Sequence, residues 1–239
     1  MRIAPTPATC PRCNGSGWIP LPGDALRVEP CGCQGDLRRQ QRAASASIPK
    51  RYEHCTLDTF REKSTVLRNA KTRVQQFVDL WPNTPDGKGL LLMGGCGVGK
   101  THLAVAALLE IIHNGKPGRM LFSNFQDLIQ EIQASFGDDH APSKSELLHP
   151  LLEADLLVLD ELGSQKPTTF VQDILYYVIN SRYNSERTTI FTTNYYDRAG
   201  EAKEETLEQR IGTRLRSRLA EMADRIEFTG ATDHRRNTL

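Results

Sequence analysis

The residues with the clearest chemistry lie between Leu90 and Thr101. Leu90-Leu91-Leu92-Met93 has the character of a buried strand. Gly94-Gly95-Cys96-Gly97-Val98-Gly99 is a glycine-rich turn, and Lys100-Thr101 opens a segment of helical pattern that reaches Ile112. Gly94, Gly99, Lys100 and Thr101 fit the spacing G-x-x-x-x-G-K-[ST] of a phosphate-binding P-loop. The chemistry requires this order. Glycines carry no Cβ, so successive backbone N–H groups can curl around a phosphate, and the helix that follows aims its positive end at the same anion. Lys100 is placed to reach the β- and γ-phosphates of ATP, and the Thr101 hydroxyl to hold Mg²⁺. The expected nucleotide-binding set is Gly94, Gly95, Cys96, Gly97, Val98, Gly99, Lys100, Thr101 and the adjoining His102. A chance glycine turn would have to reproduce the same residue types in the same strand–turn–helix context.

Two later strands carry groups that suit the same reaction. In Ala154-Asp155-Leu156-Leu157-Val158-Leu159-Asp160-Glu161 an apolar run ends in two acids. Such a run reads as a strand buried on both faces of a parallel sheet, with the acids emerging at its carboxyl end. Asp160 is expected on Mg²⁺ through a bound water, and Glu161 as the general base that polarises the attacking water. An acidic turn after an apolar strand is common, and it gains meaning here because it lies downstream of a P-loop. Thr188-Thr189-Ile190-Phe191-Thr192-Thr193 reads as the next strand, and Asn194 at its tip is placed to reach the γ-phosphate or the attacking water.

The cysteines suggest a second kind of site. Cys10-Pro11-Arg12-Cys13 and Cys31-Gly32-Cys33 are two close pairs separated by about the length of a hairpin. Together they make a tetrahedral Zn²⁺ site of Cys10, Cys13, Cys31 and Cys33, with Gly15 and Gly17 letting backbone amides turn back toward the thiolates and Gly32 permitting the short second pair. A segment this small needs such a staple. Disulfides, free thiols and a redox pair are the alternatives, and a reducing compartment argues against the first.

The elements that must position these groups follow from the pattern. The chain has 239 residues, 38% hydrophobic and 25% charged, which suits one sizeable core plus a small appendage. A net charge of +1 means that nucleic-acid binding would rest on local patches rather than bulk charge. No apolar run reaches membrane-spanning length, and the first residues lack the apolar core of a signal peptide, so a cytoplasmic address and no membrane partner are expected. Residues 36–64 read as a docking linker, with Arg38, Arg39 and Arg42 at helical spacing on either a solvated face or a phosphate- or acid-binding one. Helices are expected over Thr65 to Trp81, Phe125 to Ser135 after an Asn124 cap, Ser143 to Leu152, Thr168 to Asn184 and Thr206 to Met222, with strands at Met120-Leu121-Phe122 and Arg225-Ile226-Glu227-Phe228. His140 and His149 read as plain surface residues. On the last helix Arg210, Arg214 and Arg218 fall on one face, either solvated or directed at a neighbouring subunit's nucleotide. The domain plan is a Cys₄ segment over 1–35, the linker over 36–64 and an ATPase domain over 65–239.

These motifs resemble the AAA+ ATPases of the DnaC/DnaI helicase-loader and IstB group. The zinc segment, Ile48-Pro49-x-Arg51-Tyr52 with Thr56 and Phe60, the P-loop, Asp160-Glu161, Asn194 and the stretch Gly212 to Leu219 all fit that group. The resemblance implies an α/β P-loop core with a parallel five-stranded sheet flanked by helices. It also implies an arginine finger at Arg218 and a second-sensor arginine at Arg235. Partners implied are a replicative DNA helicase, bound through the N-terminal segment, and single-stranded DNA, bound over about Asn124 to Leu152. Self-assembly is expected to depend on ATP. The expected function is helicase loading. A transposition helper and a zinc-bearing adaptor with structural ATP are the alternatives, and a P-loop kinase would not need Glu161, Asn194 and Arg218 together.

Overall fold

The computed structural model describes residues 10–21, 24–137, 140–198 and 205–230. Its centre is a sheet of five parallel strands: β3 (Gly89–Met93), β4 (Met120–Asn124), β5 (Leu156–Asp160), β6 (Thr188–Thr193) and β7 (Ala223–Glu227), in the order β4-β5-β6-β3-β7. β1 (Trp18–Leu21) and β2 (Asp24–Pro30) form a separate antiparallel hairpin. Every residue of β3, β5 and β6 is buried, which explains why these strands read as continuous apolar or β-branched runs rather than as alternations.

Alternate side chains feed two cores. Leu90 and Leu92 pack with α2 (Thr65–Leu80) and α3 (Lys100–His113), while Leu91 and Met93 face the layer of α4 (Phe125–Ala134), α5 (Lys144–Glu153), α6 (Thr169–Asn184) and α8 (Thr213–Met222). Helix starts follow their caps. Ser64, Asn124 and Thr168 accept from the first turns of α2, α4 and α6, and Ser143 with Glu146 makes a full capping box on α5.

The order of the strands brings the carboxyl ends of β5, β6 and β3 side by side, where a parallel sheet presents its ligand crevice. The P-loop, the Asp160-Glu161 pair and Asn194 therefore meet although they are far apart in the chain.

Two expectations need correction. The helix expected over Thr206 to Met222 is two helices, α7 (Leu207–Ile211) and α8, broken at Gly212, whose φ of 85° and ψ of 153° suit glycine. The break takes Arg210 off the face that carries Arg214 and Arg218. The stretch after Cys33, with Arg38, Arg39 and Arg42 at helical spacing, is helical. It is helix α1 (Gly32–Ser45), which Cys31 opens and which runs across position 35. Gly32 has ordinary space around it and sits in the first turn of that helix, so no special backbone explains the short cysteine pair.

α6 is tied to the sheet by Arg182, whose side chain is fully buried. Its Nε donates to Thr189 Oγ1 at 2.8 Å, Nη1 to the carbonyls of Leu151 and Ala154 at 2.6 and 2.8 Å, and Nη2 to the carbonyl of Thr188 at 2.5 Å. Burial, and then nearby Arg187, pull its pKa down to about 9, so it remains a cation at neutral pH. Replacing it takes one donor from each of three buried carbonyls. Arg182→Ala should lower the unfolding free energy by about 3–5 kcal/mol in urea titrations, with Arg182→Lys recovering part of the loss. A loss below about 1 kcal/mol would show that the carbonyls find other partners.

Candidate functional site

The P-loop turn is shaped by contacts as well as by sequence. A Cβ on Gly94 would lie 2.7 Å from the Cβ of Phe228, so the end of β7 leaves room only for glycine. Gly99 has φ of +100°, and a Cβ there would lie 2.7 Å from the Phe60 ring. Gly99 thus serves both the turn and the packing of the preceding segment onto it. Val98 is buried in the core, and Cys96 is exposed at the crest of the turn.

At the first turn of α3 the ammonium of Lys100 donates to the carbonyls of Gly94 and Gly95 at 2.8 and 2.7 Å and to Asn194 Oδ1 at 2.8 Å. Thr101 Oγ1 donates to Asp160 Oδ1 at 2.9 Å. Thr192 Oγ1 donates to the same oxygen at 2.6 Å and accepts the backbone N–H of Glu161 at 3.0 Å. Burial pushes the Asp160 carboxyl up from its ordinary value, against which the hydroxyls of Thr192 and Thr101 work. Glu161 stands at the left-handed φ of 59°, which turns its carboxylate out of the strand direction. Asn124, at the end of β4, donates from Nδ2 to Glu161 Oε2 at 3.3 Å while its Oδ1 caps α4.

Lys100, Thr101, Glu161, Thr192 and Asn194 line one cavity of about 610 Å³, which is within the range of small-ligand sites. One wall is the P-loop with Lys100, Thr101, Glu161, Thr192 and Asn194. The other comes from residues 51–61, among them Arg51, Tyr52, His54, Thr59, Phe60 and Arg61. His102 joins the two walls. Its Nε2 lies 2.9 Å from the Thr56 carbonyl and its ring meets Phe60 edge-on, and burial lowers its pKa. Sequence reasoning singled out the P-loop side of this cavity and missed the side built by 51–61, as it missed Thr192 and the second role of Asn124.

Arg218 is not among the residues that line the cavity of its own chain. Its guanidinium lies over the rings of Tyr176 and Tyr183. Arg210 instead donates to the carbonyls of Gly163, Ser164 and Gln165, in the loop after Glu161. Arg235 lies outside the described residues.

The cysteines converge as expected. The Sγ atoms of Cys10, Cys13, Cys31 and Cys33 all lie within 4.8 Å of one another, with Cys10–Cys31 at 3.8 Å and Cys13–Cys33 at 3.5 Å. Four thiolates about 2.3 Å from a common Zn²⁺ sit about 3.8 Å apart, so the donor set fits that ion. The N–H of Gly17 points at Cys13 Sγ at 3.3 Å. Burial raises the Cys13 thiol, but the Gly17 N–H and the Cys33 thiol outweigh it and bring it down to about 7. Its hydrogen bond to Cys13, then that to Cys31, pushes Cys33 up to about 12. Among the described residues no helix is long and apolar enough to cross a membrane.

A parallel five-stranded sheet with a P-loop, an acid pair on β5 and an amide at the tip of β6 defines a P-loop core of the AAA+ class. Within it, the chain belongs to the IstB-like ATP binding protein family, whose model matches residues 36–237. It is 27% identical over 160 residues to the replicative helicase loader DnaC of Escherichia coli K12, a match covering 66% of this chain and 62% of that protein. The crystal structure of a DnaC helicase loader superposes with a TM-score of 0.63 at 34% identity, covering 75% of this chain and 99% of that one. A DnaI crystal structure shares the fold with a TM-score of 0.61 at 21% identity, covering 76% and 94% of the two chains.

Thr192 is the joint between Asp160 and Glu161. Thr192→Val keeps its shape but removes the hydroxyl, leaving Asp160 Oδ1 with Thr101 alone of its two hydroxyl donors and taking from the Glu161 N–H its hydroxyl acceptor. The variant should fold with stability lowered by about 1–3 kcal/mol in chemical denaturation. Unchanged stability would show that the hydroxyl is dispensable to the packing.

Proposed function

We propose that the protein is an ATP-dependent loader of a replicative DNA helicase. The observation that carries this is that Lys100, Thr101, Glu161 and Asn194 line one cavity, with Asp160 hydrogen-bonded to Thr101, in a chain that belongs to this family. Lys100 and the P-loop amides hold the phosphates of ATP. Thr101 and Asp160 already share a hydrogen bond and would hold Mg²⁺, which supplies charge neutralisation when bound. Glu161 takes the proton of the attacking water, Asn124 fixes its carboxylate, and Asn194 orients the γ-phosphate end of the site. Arg218, which does not line its own cavity, completes the site of a second copy of the chain, so assembly and hydrolysis are linked. The exposed Phe136 ring, edge-on to Phe170, offers a stacking face for single-stranded DNA beside α4 and α5. Helicase contact falls to the N-terminal segment, which favours a loader over a transposition helper.

The test uses purified replicative helicase of the same host. Wild-type protein should capture it with ATP, and Lys100→Ala should lose both nucleotide and capture. Glu161→Gln should bind ATP, hold the helicase and turn over at least about a hundredfold more slowly. Turnover by Glu161→Gln at the wild-type rate would remove the base assignment. Capture of no helicase in any nucleotide state would remove the loader function.

The same proposal places one Zn²⁺ on Cys10, Cys13, Cys31 and Cys33. Protein purified without added zinc should contain one equivalent by elemental analysis. Cys31→Ser should lose the metal and the hairpin while the core still binds ATP, because the core has its own buried strands. Metal-free protein with the hairpin intact would overturn the assignment.

A further inference from the structure

The arginines of α7 and α8 are held in different ways. Arg210 is tied to three carbonyls and to Glu205, and Arg216 pairs with Asp197. Arg218 is held by aromatic faces. Its Cζ lies 4.9 Å from the centroid of the Tyr176 ring and 5.6 Å from that of Tyr183. Its Nη1 is buried and has no hydrogen-bond partner among the described residues. Tyr183 is itself fixed, since its hydroxyl donates to Glu221 Oε2 at 2.6 Å, and α6, which carries both rings, is anchored by the buried Arg182.

We propose that Tyr176 and Tyr183 are positioning residues for Arg218, a two-ring clip that presents its guanidinium to the nucleotide bound by a second copy of the chain. This rests on the trans role of Arg218 given above. A ring face attracts a guanidinium through its quadrupole and leaves the N–H edges unused. A carboxylate clamp would occupy those same edges and neutralise the charge that a phosphate oxygen needs. A buried N–H without an acceptor is unfavourable. The rest of the guanidinium is not so buried, and that is the part a phosphate oxygen in a second copy can meet. Tyr176 is 38% exposed and the adjacent Tyr177 50%, so the clip lies at the surface where a second copy can reach it.

The test is ATP turnover in mixtures of defective chains. Lys100→Ala cannot bind nucleotide but supplies Arg218, and Arg218→Ala binds nucleotide but supplies no arginine, so the mixture should regain activity. Adding Tyr176→Leu to the Lys100→Ala chain should cut this rescue by about tenfold or more without changing KM for ATP. Adding it to the Arg218→Ala chain should leave the rescue in place. Tyr176→Phe in the Lys100→Ala chain keeps the ring and should keep the rescue. This asymmetry separates positioning from folding, because a structural defect would act from either chain, and urea titration of each double variant checks its fold. If the parent mixture regains activity and Tyr176→Leu is equally harmless in both chains, the clip is refuted while the trans arginine stands. Equal loss from either chain makes Tyr176 structural and also refutes the clip. If the parent mixture regains nothing, the trans arginine fails, and the clip with it.

Discussion

The site is built around one carboxylate. Asp160 Oδ1 accepts from Thr101 on α3 and from Thr192 on β6, and Asp160 itself ends β5, so three elements distant in sequence converge on a single oxygen. A carboxylate buried this deeply is unfavourable unless donors surround it. The two hydroxyls therefore constrain the register of β5 against β6 and the rotation of the first turn of α3. Lys100 precedes Thr101 on that turn, so the same constraint aims its ammonium at the P-loop carbonyls and Asn194. Phe60 packs against Gly99 and Phe228 against Gly94, so the shape of the glycine turn is fixed at both glycines.

Much of this was legible in the chain because the signals are local. The P-loop spacing, the apolar run into Asp160-Glu161 and the helix caps each lie within a few residues, and the structure follows them closely. What escaped depends on tertiary contact. Thr192 looks like any β-branched strand residue until its hydroxyl is seen between Asp160 and the Glu161 N–H. Asn124 satisfies a cap with one side-chain atom, which hides the use of the other. Residues 51–61 carry no chemistry-bearing pattern that points to a site, and their place opposite the P-loop comes from Phe60 packing on Gly99 and His102 reaching Thr56. The division between α7 and α8 was hidden because the helical period continues through Gly212 and only the backbone angle there breaks it. The cysteine spacing foretold the cluster but not that the second pair opens a helix.

Those residues also connect the two ends of the molecule mechanically. Cys31 opens α1, whose Arg42 donates to the carbonyls of Lys116 and Gly118. The chain then passes Ala46, buried in the core, before forming the second wall of the cavity at 51–61.

The end of α1 has a further effect on β4. This strand is the outermost of the sheet on its side, and its Phe122 N–H is satisfied by the Ala46 carbonyl at 2.8 Å. An uncovered outer strand is a template for pairing with any extended chain, and proteins guard such borders. Here the guard is the same segment that leads from the cysteine cluster to the cavity wall. Any motion that swings α1 outward must leave Ala46 behind or bare the border, so safety against illicit strand pairing restricts the N-terminal segment to hinging before Ala46.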